Sequence, residues 1–213
     1  MRIMKRKLIS ILLAASLLLM PVVASSDIEK LGHDEIIINA GVYEDSYLQF
    51  LKATSDKSVK HWNVRIHTSG GDAHSTIGII NRIKEIKKTG VTFTMINQSK
   101  AFSAGSYIFI HGDKRVAHRG ASFMFHTIMQ QVDEQQVAAG RGTNPSTVTL
   151  LERMDELVNE RFLEITGIKK GSQADRYWLH GEMPDGSTVV ERAQFMSAET
   201  AFNINVATDY INN

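Results

Sequence analysis

Short β-branched runs alternate along this chain with longer stretches whose apolar residues recur at helical spacing, and that alternation restricts the architectures open to it. Glu35-Ile36-Ile37-Ile38-Asn39 reads as a buried strand with a turn at Gly41. Tyr47 to Ala53 reads as a helix, and Trp62 to His67 as a second strand halted by the pair Gly70-Gly71. From Ser75 onward, Ile79, Ile80, Ile83 and Ile86 mark a helix with one face on a sheet. Gly90 closes it, as a residue tolerant of the left-handed conformation can. Val91 to Ile96 makes a third strand, Ala101 to Ile110 a helix with a small-residue start, and Lys114–Ala117 and Ser122–His126 two further short strands. Strands separated by helices need crossover connections, which are right-handed, so the pattern predicts an α/β fold on a mainly parallel sheet.

Asn144-Pro145 predicts another helix start, an N-cap followed by proline at the first helical position. Leu150, Met154, Leu157, Val158, Phe162 and Ile165 then form one stripe, which Gly167 ends. Two environments suit that stripe: another subunit, or the chain's own sheet.

The first 24 residues have a different composition. Arg2, Lys5, Arg6 and Lys7 precede a mostly apolar run from Leu8 to Met20, which ends in Pro21-Val22-Val23-Ala24. A basic head, an apolar middle and small residues at Val22 and Ala24 describe a secretory signal peptide cut after Ala24. A retained membrane anchor is the alternative, but a spanning helix needs about 20 apolar residues, and Pro21 interrupts this one. Export predicts a periplasmic or secreted chain with one domain over residues 25–213. Residues 1–24 carry four basic and no acidic side chains, so cleavage takes the net charge from +1 to −3. Nothing in that balance suggests nucleic acid. The chain has no cysteine, which excludes disulfides, a catalytic thiol and a lipid-modified lipoprotein start.

Ser103 and His126 carry the chemistry. A serine nucleophile needs a base to take its proton and donors to hold the oxyanion that follows. Ser103 lies in Ala101-Phe102-Ser103-Ala104-Gly105, between strand and helix, where the Ala104 amide can share its space. The turn Thr68-Ser69-Gly70-Gly71-Asp72 can supply a second amide from Gly71, since a residue without Cβ lets substrate backbone come close. Such turns gather at the carboxyl ends of parallel strands, where ligands bind. Lys100 and Lys114 are alternative bases by sequence proximity. His67 and His74 bracket the glycine turn without any HExxH-type spacing, so no metal is expected.

Four segments together resemble a known family: Thr68-Ser69-Gly70-Gly71, Phe102-Ser103-Ala104-Gly105, Phe123-Met124-Phe125-His126 and Phe195-Met196-Ser197-Ala198-Glu199-Thr200-Ala201. In order and spacing they look like the signatures of the Clp protease proteolytic subunit (ClpP) family, from about Glu35 to Tyr210. The resemblance implies a ClpP/crotonase-like fold, with repeated ββα crossover units, a mainly parallel sheet and a long protruding helix. It implies Ser103 as nucleophile, His126 as general base, and the Gly71 and Ala104 amides as oxyanion hole. It also implies peptide substrates bound as an added strand, no cofactor, and homo-oligomeric rings built through the long helix.

Two features depart from that family. Its triad aspartate precedes the Phe-Met-Ser-Ala-like segment by two residues, and Ala193 stands there instead. An extra stretch from Tyr177 to Gln194 carries Pro184-Asp185-Gly186 as a hairpin-type turn. Asp175 and Glu191 are then the candidate acids, and a Ser-His dyad without a carboxylate is the third arrangement. The second departure is the signal peptide, because the family's cytoplasmic members work with ATP-driven unfoldases. Export predicts cleavage of short or unfolded polypeptides without ATP or an ATPase partner. Two other functions fit parts of the pattern: a catalytically silent ring-forming peptide-binding protein, and a crotonase-type acyl-CoA lyase or hydratase.

Overall fold

The computed structural model describes residues 28–128, 145–187 and 193–211. Residues 1–24, where a signal peptide is expected, and Glu191 lie outside them. The described chain runs β1 (Ile28–Lys30), β2 (Glu35–Val42), α1 (Ser46–Ala53), β3 (His61–Gly71), α2 (Ala73–Lys87), β4 (Thr92–Phe102) and α3 (Ala104–Phe109). It continues through β5 (Lys114–His118), β6 (Ser122–His126), α4 (Pro145–Thr166), α5 (Gln173–His180), β7 (Ala193–Ser197), α6 (Ala198–Asn203) and β8 (Asp209–Ile211).

Strands β2, β3, β4, β5 and β8 lie side by side and parallel, with β1 added antiparallel at one edge. The mainly parallel α/β sheet expected from the alternation is present. Period-two burial in β3 turns Trp62, Val64, Ile66 and Thr68 to one face. Helix α2 is part of the same core, with Ile79 and Ile83 fully buried. Its start is fixed by Asp72, whose carboxylate accepts from the Ser75 amide at 2.7 Å.

The sheet forks at β4. Residues Thr94–Asn97 pair with β5, whereas Lys100–Phe102 pair in parallel with β6. At the fork sits Asn97, fully buried; its side chain donates to Ser122 O at 2.9 Å and accepts from the Ser99 amide at 3.1 Å. β6 then pairs antiparallel with β7. This branch carries the end of β4 and the whole of β6 away from the main sheet as a neighbouring pair.

Three expectations change. β3 runs through the glycine pair to Gly71 rather than stopping before it. β4 extends to Phe102, so the expected helix from Ala101 begins only at Ala104; pairing with β6 holds those residues extended. The stripe on α4 divides: Met154, Val158 and Phe162 are buried within the chain's own core, and Leu157 is 53% exposed. Own-sheet packing accounts for the buried part. The Leu150 side chain lies outside the described residues. Phe162 packs on Phe125 with ring centroids 4.8 Å apart and the rings tilted by 58°, which anchors α4 against β6. The turn at Pro184-Asp185-Gly186 forms, with Met183 N bonded to Ser187 O at 2.7 Å and Gly186 at φ +83°.

Candidate active site

Strand alternation decides which β6 side chains face the opening. Phe123 and Phe125 are fully buried, whereas Met124 and His126 point to the other face. Phe102 at the end of β4 lies opposite Met124, and the chain turns one residue later. Ser103 makes that turn with φ +50° and ψ −115°, a conformation that costs a residue with a Cβ about 1–3 kcal/mol. Its amide donates to Met124 O at 2.8 Å. Ser106 ties the same strands together, donating to Ala101 O and accepting from the Met124 amide at 3.2 Å. The strained turn is therefore held from both sides.

The outcome is a contact between residues 23 apart in sequence: Ser103 Oγ lies 2.6 Å from His126 Nε2. The other ring nitrogen, Nδ1, is 2.6 Å from the carbonyl oxygen of Thr127. A carbonyl only accepts, so Nδ1 carries the proton and Nε2 of the neutral ring accepts from the serine hydroxyl. That is the tautomer a general base needs. A main-chain carbonyl sets it here, in the place where serine hydrolases commonly use a carboxylate.

The glycine turn packs on this serine. A Cβ on Gly70, which has φ +103°, would stand 2.6 Å from Ser103 Cβ. One on Gly71, at φ +151°, would stand 1.9 Å from Val42 O. Only glycine lets β3 end this close to both neighbours. Gly71, Ser103, Ala104, Met124, His126 and Ile128 share one cleft of about 810 Å³.

Asp175, one of the two candidate acids, is committed elsewhere. It is the third residue of α5, where Ser172 caps the helix by accepting from the Asp175 amide at 3.2 Å. Its carboxylate accepts from the Gly171 amide at 2.6 Å and lies 4.0 Å from His180 Nε2. Ser172-Gln173-Ala174-Asp175 is a capping-box pattern, and that local signal was readable. Ala193 is the residue opposite His126 across the β6–β7 pair, so the family's acid position does face the imidazole but holds a methyl group. Lys100 donates to Ser69 Oγ at 2.9 Å, and Lys114 lies 3.7 Å from Asp209. His74 is 4.0 Å from Asp72, and among the described residues no group of three or more metal-ligating side chains comes together.

Three residues behind His126 escaped the sequence reading. Tyr107 Oη lies 2.8 Å from His126 O and 3.0 Å from Asn159 Oδ1, its one proton shared between them. Burial drives the Tyr107 phenol well above its ordinary pKa. Asp155 on α4 accepts from the Ile128 amide at 2.9 Å and is hydrogen-bonded by the Asn159 side chain. A polar residue every fourth position on a helix looks like a solvated face, so nothing in the sequence separated these from the rest.

A parallel crossover sheet with a serine–imidazole pair at the carboxyl ends of its strands is the arrangement of the ClpP/crotonase fold. The Clp protease family model matches residues 31–208, and the chain belongs to that family. No curated protein matches it.

Proposed function

We propose that this chain is a serine endopeptidase that cleaves short or unfolded polypeptides. The observation that carries the proposal is the 2.6 Å contact between Ser103 Oγ and a His126 ring whose Nδ1 is already held as a donor. Ser103 Oγ attacks the scissile carbonyl carbon while His126 Nε2 takes its proton. The carbonyl oxygen becomes an oxyanion held by the amides of Gly71 and Ala104, which border the same cleft. Collapse breaks the C–N bond, and the imidazolium returns the proton to the departing amine. Water, activated by the same imidazole, then cleaves the acyl ester and restores the serine. Substrate lies extended in the cleft as an added strand.

Export, ATP independence and assembly belong to the same proposal. The basic and apolar leader at residues 1–24 supports a periplasmic or secreted enzyme, which works without a nucleotide-driven unfoldase and so on substrates already unfolded. Family membership supports assembly into a homo-oligomeric ring.

A fluorophosphonate probe tests the chemistry. Mass spectrometry should find the adduct on Ser103, and Edman sequencing of the exported chain should begin at Ser25. No adduct on folded protein would favour a silent peptide-binding protein, or an acyl-CoA enzyme with no serine to trap.

A further inference from the structure

Resting on Ser103 and His126 as the reacting pair, we propose that Asp155 is the positioning carboxylate of this site, acting on His126 through the single peptide group that joins Thr127 to Ile128. The two ends of that peptide group are both engaged. Its carbonyl accepts from His126 Nδ1 at 2.6 Å, and its N–H donates to Asp155 Oδ1 at 2.9 Å. Hydrogen bonds in such a chain polarise one another in the same direction. A negative carboxylate on the N–H raises the electron density on the carbonyl oxygen, which then holds Nδ1–H more strongly. When His126 becomes an imidazolium, that oxygen carries part of the compensating charge. The acid missing at Ala193 is thus replaced from α4, one peptide group removed.

The surroundings keep this linkage in one arrangement. Asn159, one helical turn after Asp155 on α4, bonds the carboxylate and also meets Tyr107, which in turn bonds the carbonyl of His126. Both main-chain groups that flank the imidazole are therefore fixed from beneath. Burial, the largest influence, holds the Asp155 carboxyl above its ordinary range, and the Ile128 amide, the imidazoles of His180 and His126 and the Asn159 side chain only partly offset it. The other charged groups bordering its cavity are Asp175 from α5, Lys170 before it, and Glu152, Arg153, Glu156 and Glu160 on its own helix.

The test is Asp155→Asn in the full chain, since the amide oxygen can still accept from Ile128 while the charge is gone. With melting temperature unchanged, kcat on a fluorogenic peptide should fall about tenfold, comparable with the lower end of the loss when the hydrogen-bond partner of a metal-ligating imidazole is removed. KM should hold, and the low-pH limb of the kcat/KM profile should move to lower pH. In an Ala193→Asp background, where a carboxylate meets His126 directly, the same substitution should have no effect on kcat. Asp155→Ser serves if the amide variant does not fold. Wild-type kcat and an unmoved pH limb in a folded Asp155 variant overturn the proposal, as does an equal loss in both backgrounds. Ser103→Ala separates the two levels: if it keeps full activity the underlying assignment fails, and if it is inactive while Asp155→Asn is normal only this inference does.

Discussion

Ala193 stands directly opposite His126 in the antiparallel pairing of β6 with β7. Facing residues in such a pair have Cβ atoms about 4.5–5.5 Å apart, within reach of a short carboxylate. An orienting acid is worth up to about 10⁴ in rate where the rest of the site depends on it. Ala193→Asp should therefore raise kcat on a fluorogenic peptide, by about tenfold against a site already ordered by Thr127. Unchanged or lower turnover in the folded variant would mean that His126 does not need orienting from β7.

Gly70 and Ser103 share a space too small for another carbon. The missing Cβ of Gly70 would lie 2.6 Å from Ser103 Cβ. Gly70→Ala should push the serine off line, and a displacement near 1 Å can cost about 100-fold in rate. The expected readout is loss of fluorophosphonate labelling, with a stability cost of about 1–3 kcal/mol for alanine at φ +103°.

Tyr107 bridges two acceptors, the His126 carbonyl and the Asn159 side chain. Tyr107→Phe leaves His126 O and the buried Asn159 side chain short of a donor, which costs about 1–3 kcal/mol. Urea unfolding should show that loss, together with a lower kcat, because the same hydroxyl steadies the strand end that carries the imidazole.

His111 predicts how the fold responds to acid. It is 4% exposed, its Nε2 has no partner among the described residues, and burial, with Lys84, Arg161 and Lys87 nearby, lowers its pKa from 6.5 to about 3. The folded ring stays neutral while the unfolded ring protonates. Stability is thus fully present above pH 6.5 and is lost as pH falls toward 3, by about 1.4 kcal/mol per pH unit. Between pH 7 and pH 5 the wild type should lose about 2 kcal/mol more than His111→Leu. Parallel losses in the two proteins would contradict a buried neutral imidazole.

The parts of this molecule legible in its sequence are those written in side-chain type. Ile36, Ile38, Val64 and Ile66 announced buried strands, and Ile79 to Ile86 announced the helix that covers them. Ser103 and His126 were visible as chemistry, and their contact follows from β4 and β6 running in parallel. The fork at Asn97 was not visible, because pairing the end of β4 with a strand 20 residues later is a tertiary choice. Main-chain partners were hidden for a simpler reason: every residue has a carbonyl, so Thr127 gave no sign of its role. Asp175 misled because its neighbourhood resembled the family's string, while the nearer fact, Ser172 three residues before it, described a helix cap.

The central claim is that Ser103 and His126 hydrolyse peptide bonds. Turnover of an unstructured fluorogenic peptide by the wild-type chain and by Ser103→Ala, at matched folding, tests it most directly. The account predicts measurable turnover without ATP in the first and none above background in the second. Equal turnover in both would remove Ser103 from the chemistry and contradict the account.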